Sequence, residues 1–210
     1  MNDRSGKFIT LEGIEGAGKS THMPFISSLL QVMGKEIVMT REPGGTSLGE
    51  EIRNTLLMQK SFQISGNTEL LLMFAARQQH LEEIIYPALN KGKTVLCDRF
   101  TDSSYAYQGG GRGIETDKTC QLVQLVHPDL KPDLTLLFDL PVEVGLARAN
   151  MRDLIDRFES ETINFFQSVR NAYLKIADAE PNRVKVIDAT ANIKAVQNAI
   201  KTILKEQGLC

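Results

Sequence analysis

The chain has 210 residues, of which 42% are hydrophobic and 24% are charged, values typical of a single globular domain. A formal net charge of −2 argues against a nucleic-acid-binding protein, which would carry an excess of basic residues. The three cysteines fit no metal or disulfide spacing, the first ten residues lack the apolar core of a signal peptide, and no apolar run reaches about 18 residues. We therefore expect a cytoplasmic protein that binds neither nucleic acid nor membranes.

Short apolar runs alternate with helical patterns along the chain. Strands are predicted at 7–12, 36–40, 94–98, 133–140 and 184–188. Helices are predicted at 18–33, 47–58, 67–90, 116–126, 142–150, 159–179 and 192–206. This alternation predicts an α/β fold with a central five-stranded parallel sheet flanked by helices on both faces. Because no repeat or linker interrupts the pattern, residues 1–210 are expected to form a single domain.

The segment GIEGAGKST, from Gly13 to Thr21, lies between the first predicted strand and the first predicted helix. It contains the pattern G-x-x-x-x-G-K-[ST] of a phosphate loop, in which backbone N–H groups and a helix N-terminus surround nucleotide phosphates. We expect Lys19 to bind the β- and γ-phosphates and the Ser20 hydroxyl to bind Mg²⁺. The predicted ATP-binding residues of this loop are Gly13, Ile14, Glu15, Gly16, Ala17, Gly18, Lys19, Ser20 and Thr21.

Further motifs separate the possible uses of a phosphate loop. A switch GTPase needs a D-x-x-G motif after a later strand, but the one at 3–6 precedes the loop, and NKGK at 90–93 lacks the closing aspartate of a guanine reader. A small-molecule kinase instead needs a second anion site with arginines that neutralise the moving phosphoryl group. Candidate side chains for that site lie near the ends of predicted strands and on two predicted helices: Arg41, Arg53, Phe74, Arg77, Asp98 and Arg99.

Each of these candidates also has an ordinary structural explanation. A single arginine is more often a solvated surface charge, and a phenylalanine such as Phe74 is more often part of the core. Asp98 can support Mg²⁺ at the end of its strand, or it can cap a helix or pair with Arg99. The convergence of several such residues beside a phosphate loop favours a second ligand site.

The order of the motifs resembles one known family. LEGIEGAGKST, TREPGGTSLGEEIR, FAARQQH, CDRFTDSSYAYQGGGRG, PDLTLLFDLPVEVGLAR and DRFESE span residues 11–161. Together they are similar to thymidylate kinases of the bacterial type. The resemblance implies a P-loop nucleoside-monophosphate-kinase-like fold and transfer of the ATP γ-phosphoryl group to dTMP, with Mg²⁺, in dTTP biosynthesis. It also implies a homodimer.

Roles for individual acceptor-side residues follow from the same resemblance. Phe74 is expected to stack on the thymine ring and Arg77 to bond its carbonyl group. Tyr107 is expected to crowd the sugar 2′ position, and Glu15 to bind the 3′-OH. Arg53 and Arg99 are expected to hold the acceptor phosphate. The substrate-binding residues implied in this way are Glu15, Arg53, Phe74, Arg77, Arg99, Ser104, Tyr107 and Gln108.

A basic segment at about 148–158 is expected to be a lid, although its arginines can also be surface charges paired with neighbouring acids. Members of the family carry a catalytic basic residue either in the phosphate loop or in the lid. Gly16 occupies the loop position here, so the resemblance assigns the catalytic charge to Arg152 of the lid, alongside Lys19 and Arg99. Arg148 is expected to face the adenine. Ser20 and Asp98 are the expected metal ligands.

Two other functions are compatible with the residues alone. One is a kinase for a different nucleoside monophosphate, which would differ in the residues around the base. The other is a regulatory protein that binds and slowly hydrolyses ATP without an acceptor, which would leave the arginine-rich second site without a purpose.

Overall fold

The computed structural model describes residues 5–58, 62–150 and 161–209, and their strands form one parallel sheet. The strands are β1 (Phe8–Glu12), β2 (Ile37–Arg41), β3 (Thr94–Asp98), β4 (Leu134–Asp139) and β5 (Val184–Asp188). Their order across the sheet is β2-β3-β1-β4-β5, so β1 is central. The predicted five-stranded parallel sheet is therefore confirmed.

The sheet is covered on both faces. Adjacent residues of a strand point to opposite faces, and Phe8 and Ile9 of β1 are both fully buried. Phe8 belongs to a small apolar cluster that also includes Leu81 and Ile85. Ile9 belongs to a larger cluster that includes Ile26. Burial on both faces explains why the central strands are continuous apolar runs rather than alternating ones.

Helices connect the parallel strands, because such strands require long crossover connections. They are α1 (Lys19–Val32), α2 (Ser47–Leu57), α3 (Gly66–His80), α4 (Tyr86–Asn90), α5 (Thr101–Ser104), α6 (Thr116–Val126), α7 (Val142–Ala149), α8 (Ile163–Ala179) and α9 (Ile193–Glu206). Two π-helical segments, Leu81–Ile85 and Tyr105–Gly111, follow α3 and α5. Within the described ranges, no helix combines the length and apolar character that crossing a membrane requires.

Two helical regions differ from the sequence-based expectation. The single helix expected at 67–90 is interrupted by the π-helical segment Leu81–Ile85. The helical stretch from Thr101 to Gly111 was not expected, because its serines and glycines have low helix propensity. It is stabilised by packing: a Cβ atom on Gly110 would lie 2.7 Å from the Ala172 Cβ atom of α8. Such close approach requires glycine.

The strand register brings the carboxyl ends of β1, β2 and β3 together. Asp98 lies opposite Leu11 of β1 and opposite Arg41 of β2. In open α/β sheets, ligands bind at this edge, outside the carboxyl ends of the strands. The loops after these three strands begin at Gly13, Glu42 and Arg99, and all three contribute to the site described next.

Candidate active site

The phosphate loop connects the end of β1 to the start of α1. Gly13, Gly16 and Gly18 all have positive φ, which lets the chain turn tightly between strand and helix. The Lys19 ammonium donates to the carbonyl oxygens of Gly13, at 2.9 Å, and Ile14, at 3.1 Å. Burial, and secondarily the charge of Arg99, lowers the pKa of Lys19 to about 8. A polyanion in the loop would favour the protonated amine.

Gly16 lies against helix α7. Its φ is 70°, and a Cβ atom at this position would lie 2.0 Å from the carbonyl oxygen of Gly145. The loop therefore has no room for a side chain here unless α7 moves. Any further positive charge at the phosphates has to come from another segment of the chain.

A cavity of about 940 Å³, counting its open mouth, lies beside the loop at the carboxyl edge of the sheet. It is lined from the loop, from the ends of β2 and β3, from α2 and α3, and from the helical stretch after β3. The sequence-predicted residues that it brings together are Glu15, Gly16, Ala17, Gly18, Lys19, Ser20, Arg53, Arg77, Asp98, Arg99, Ser104, Tyr107 and Gln108. Gly13 and Ile14 lie behind it and contribute carbonyl oxygens to Lys19.

Arg99 lines the cavity. It has a φ of 71°, and no other non-glycine residue in the described part of the chain has positive φ. Its guanidinium donates to the Gly13 carbonyl at 3.0 Å and to Glu15 at 2.9 Å. Burial opposes its charge, but Tyr107 and Glu15 hold the pKa of Arg99 above its ordinary value. The side chain is thus a fixed cation.

Arg77 lies deeper and is only 2% exposed. Its Nε donates to Glu42 at 2.7 Å and its Nη2 to Ser104 at 3.1 Å, while Nη1 is buried without a hydrogen-bond partner among the described residues. Burial opposes the charge of Glu42, but Arg77 and His80 hold the pKa of that carboxyl below its usual range. A buried donor without a partner is costly, so a ligand carbonyl is a fitting acceptor for Nη1.

Glu15 contacts acceptor-side residues. The Tyr107 hydroxyl lies 2.8 and 2.7 Å from its two carboxylate oxygens, and Arg99 donates to the same group. Lys19 instead bonds the loop carbonyls. Within the loop, the carboxylate and the ammonium are therefore held by different sets of neighbours.

The structure does not bring Phe74 to the cavity. The side chain is 2% exposed, the Arg77 guanidinium lies 4.5 Å from its ring centroid, and the His127 ring lies parallel to it at 6.3 Å. Met73 lines the cavity instead. Residues four apart in a helix lie about 40° apart around its axis, so Met73 and Arg77 share a face. The cavity wall there is the Met73 side chain, and the stacking of a base on Phe74 stays a prediction.

Two oxygen donors in the cavity suit a magnesium ion. Ser20 and Asp98 both line it, and Asp98 Oδ1 is buried without a hydrogen-bond partner among the described residues. Asp98 caps no helix, because Phe100 precedes α5, and the recorded hydrogen bonds of Arg99 go to other groups. In the described ranges, no three His, Cys, Asp or Glu side chains cluster as a metal site. Mg²⁺ needs no such cluster when phosphates and water complete its shell.

A second cavity lies on the other side of the phosphate loop. Its lining includes Thr21, His22 and Arg148, together with the turn that follows β5. Arg148, near the end of α7, donates to the Ala189 carbonyl at 2.9 Å. It therefore lies beside the loop, where a nucleoside bound through its phosphates would extend. Arg152 and the rest of the expected lid from residue 151 fall outside the described residues.

Several site residues carried no signal in the sequence analysis. They are Glu12, Glu42, Met73, Ser103 and Tyr173. Glu12 ends β1 and Glu42 directly follows β2, both at the ligand-binding edge, and that position could have identified them. Tyr173 lies on α8, far along the chain, and only the fold brings it to the site.

A phosphate loop between two cavities, one of them lined by three arginines, defines a small-molecule kinase with separate donor and acceptor sites. The model of the thymidylate kinase family matches residues 11–200. The chain therefore belongs to the thymidylate kinase family, as the motifs predicted.

Individual relatives match over nearly the whole chain. A thymidylate kinase of Pseudomonas entomophila is 56% identical over 200 residues, covering 95% of each chain. One from Pseudomonas putida is 54% identical over 200 residues with the same coverage. Among solved structures, thymidylate kinase from Ehrlichia chaffeensis superposes with a TM-score of 0.76 at 36% identity, covering 95% of this chain and 98% of that one. The expected kinase fold is thereby confirmed.

Proposed function

We propose that this enzyme transfers the γ-phosphoryl group of ATP to dTMP, giving ADP and dTDP for dTTP synthesis. The observation that carries the proposal is the division of residues around the phosphate loop. Lys19 lies in the same cavity as Glu15, Arg77 and Arg99, and the loop residues Gly16–Gly18 border both this cavity and the second one that contains Arg148. A donor and an acceptor bound in this way meet at Lys19 and Arg99.

On the donor side, the loop amides, Lys19 and Thr21 bind the phosphates of ATP, and Arg148 lies against the adenine. Ser20 and Asp98 would hold Mg²⁺, which would supply charge neutralisation at the ATP phosphates. Gly16 leaves no space for a loop cation, and we assign the charge at the transferring group to Arg152, as the resemblance to the family implies. These assignments agree with the cavity linings and with the contact between Gly16 and α7.

On the acceptor side, Arg53 and Arg99 bind the dTMP phosphate. That phosphate is already an anionic nucleophile at neutral pH, so the protein supplies alignment and charge neutralisation rather than a general base. Glu15 accepts the sugar 3′-OH, and Tyr107 occupies the space next to C2′. A ribose hydroxyl would have to displace that ring.

The thymine base lies against Arg77, Ser104 and Gln108. Arg77 Nη1 donates to a base carbonyl, which accounts for a buried donor with no partner among the described residues. Met73 forms the adjoining wall. A methionine side chain is flexible and polarisable, and it makes favourable contacts with planar rings.

The enzyme acts in the cytoplasm as a homodimer. Helices α2, α3 and α6 pack side by side, and each carries an exposed leucine: Leu48 at 52%, Leu71 at 58% and Leu125 at 77%. Exposed apolar side chains on adjoining helices suit a protein interface. Sedimentation analysis would contradict the dimer if the chain behaved as a monomer at all concentrations.

An acceptor panel tests the activity. Coupled ADP-release assays with dTMP, dUMP, dCMP and dGMP should give the highest kcat/KM for dTMP. A higher value for another nucleotide would identify a different nucleoside monophosphate kinase. ADP release that is the same with and without any acceptor would instead indicate a regulatory ATP-binding protein.

A further inference from the structure

We propose that Glu12 is a positioning residue for the acceptor phosphate, acting on Arg99 through the hydroxyl groups of Ser103 and Tyr173. The inference rests on the proposed function, because it concerns how Arg99 binds dTMP. Glu12 itself is buried and does not line the cavity. An effect of Glu12 on dTMP binding must therefore be transmitted.

Glu12 ends β1 directly before the phosphate loop and is fully buried. Its carboxylate accepts three hydrogen bonds. The Phe100 amide donates to Oε1 at 2.8 Å, and the hydroxyls of Ser103 and Tyr173 donate to Oε2 at 2.6 and 2.8 Å. No direct ion pair with Glu12 is recorded in the described part of the chain, so these donors solvate its charge.

The same two hydroxyl groups also contact Arg99. Arg99 Nη1 lies 3.3 Å from Ser103 Oγ and 3.2 Å from Tyr173 Oη. The two hydroxyl oxygens also lie 2.7 Å from each other. When both hydroxyls donate to the Glu12 carboxylate, their oxygen lone pairs remain for the guanidinium. The carboxylate therefore determines which way both hydroxyls point. Hydrogen bonds arranged in such chains reinforce one another.

Arg99 needs this support because its own backbone is in an uncommon conformation. A φ of 71° costs energy for a residue with a Cβ atom and persists only where the surroundings fix it. Glu15 holds the guanidinium at Nη2, and the Gly13 carbonyl and the hydroxyls of Ser103 and Tyr173 hold it at Nη1. Glu12 thus fixes the face of Arg99 opposite the phosphate loop carboxylate.

Because the arrangement requires an ionised Glu12, it is fully formed only above the pKa of this carboxyl. Burial and the neighbouring Asp102 raise the pKa of Glu12 to about 7, while Ser103, Arg99 and Tyr173 act in the opposite direction. The charge of Glu12 also acts to raise the pKa of Lys19, against the effect of burial. The carboxylate and the Arg99 cation are therefore coupled even though the hydroxyls separate them.

Calorimetry with two ligands tests the proposal. Thymidine has the base and sugar of dTMP but lacks the phosphate that Arg99 binds. In a Glu12→Gln variant the amide NH₂ can donate to the hydroxyls, which then lose the orientation that serves Arg99. We expect the Kd for dTMP to rise about tenfold, as for loss of a hydrogen bond to a charged group, with the Kd for thymidine unchanged. Equal weakening of both ligands would overturn the proposal.

A second variant keeps the test valid if Glu12→Gln does not fold. Tyr173→Phe removes one relay hydroxyl from a residue that does not line the cavity. It should raise the Kd for dTMP about threefold and leave the Kd for thymidine unchanged. The double variant with Glu12→Gln and Tyr173→Phe should bind dTMP no more weakly than Glu12→Gln alone. Additive losses would contradict a shared pathway.

Thr10→Val is the matched control. Thr10 lies on the same strand, is fully buried, and its hydroxyl pairs with Thr135 at 2.7 Å rather than with Arg99. This variant should retain the wild-type ratio of dTMP to thymidine affinity. A ratio that fell as far as in Glu12→Gln would show a general effect of strand disruption. A wild-type protein that binds no dTMP would refute the proposed function itself.

Discussion

The donor side of the site is formed mainly by the consecutive residues Gly13–Thr21, whereas the acceptor side is assembled from distant segments. On the donor side, the groups proposed to bind phosphates are mainly backbone amides, whose positions follow from glycine conformations and the start of a helix. On the acceptor side, side chains such as Arg77 and Arg99 are held by other buried side chains. Glu42 and Glu12 hold those two arginines, respectively.

This difference has a consequence for mutations. A substitution on the donor side should affect only the groups next to it, because the conformations of neighbouring backbone residues determine the shape of the loop. A change behind the acceptor side can act at a distance, because each arginine depends on a buried carboxylate. The predictions below test this contrast, from the largest expected effect to the smallest.

Arg152→Ala should have the largest effect on turnover. The residue is proposed to supply the charge that the phosphate loop cannot, and removal of an arginine that stabilises the transferring phosphoryl group costs about 10³-fold or more in kcat. Binding of dTMP should be little changed, since the acceptor cavity is formed by other residues. Steady-state kinetics would contradict the assignment if kcat stayed intact.

A cation placed in the loop should not compensate. Adding Gly16→Arg to Arg152→Ala should leave kcat low, because a Cβ atom at residue 16 would lie 2.0 Å from the Gly145 carbonyl oxygen. Recovery of kcat to within about tenfold of wild type would show that α7 can move to accommodate the side chain, which would weaken the case that the lid must supply the charge.

Phe74→Ala and Met73→Ala should separate stability from binding. Phe74 is a buried core residue, so its truncation should lower the free energy of unfolding by about 3–5 kcal/mol, measured with urea. Met73 is partly buried and lines the cavity, so Met73→Ala should lower stability less and raise the Kd for dTMP several-fold. The reverse pattern would return the base-stacking role to Phe74.

The contrast between the two positions shows what could be read from the sequence. FAARQ indicated a helix with an arginine facing a ligand, and that arginine does line the cavity. Phe74 and Met73 lie about 60° and 40° from Arg77 around the helix axis, so both are its neighbours on the helix surface. Which of them faces the cavity depends on how α3 is rotated against the core, and tertiary packing sets that rotation. The expectation from the sequence named Phe74 alone.

The same reasoning distinguishes the parts of the fold and site that local sequence patterns predict from the parts that depend on contacts between distant residues. The strands were predictable because burial on both faces demands continuous apolar runs, and the phosphate loop because its contacts are local. The contact between Glu12 and Tyr173 joins residues 161 positions apart, and the helical stretch after β3 depends on packing against α8. No short-range pattern encodes such contacts.

The pH dependence of stability should differ between wild type and Glu12→Gln. Burial raises the pKa of Glu12 from 4.5 to about 7, so the folded state retains a proton that the unfolded state releases between these values. The stability that this group contributes is fully present below about pH 4.5 and is lost as the pH rises to about 7.

Urea unfolding across this range measures the effect. The free energy of unfolding of wild type relative to Glu12→Gln should fall by about 2–3 kcal/mol between pH 4.5 and 7 and then level off. Glu42, whose pKa is lowered, acts in the opposite direction but equally in both proteins, so it cancels. A difference that is constant or increases with pH would contradict the raised pKa.

Glu15→Gln is the most selective test of the division between the two sides, because Glu15 belongs to the donor loop by sequence and to the acceptor cavity by contact. The amide is a weaker acceptor for the sugar 3′-OH and loses the ion pair with Arg99, so the Kd for dTMP should rise about tenfold. The Kd for ATP should stay within about twofold, because the loop amides and Lys19 are unchanged.

Glu50→Gln provides the control for Glu15→Gln. Glu50 accepts from Arg41 and the Gly45 amide and does not line the cavity, so neither nucleotide should be affected. If Glu15→Gln weakened the binding of ATP and of dTMP equally, the charge of Glu15 would have to influence both nucleotides through the whole loop. The boundary between donor and acceptor sides would then lie beyond the loop, at Arg99, rather than between Glu15 and Lys19.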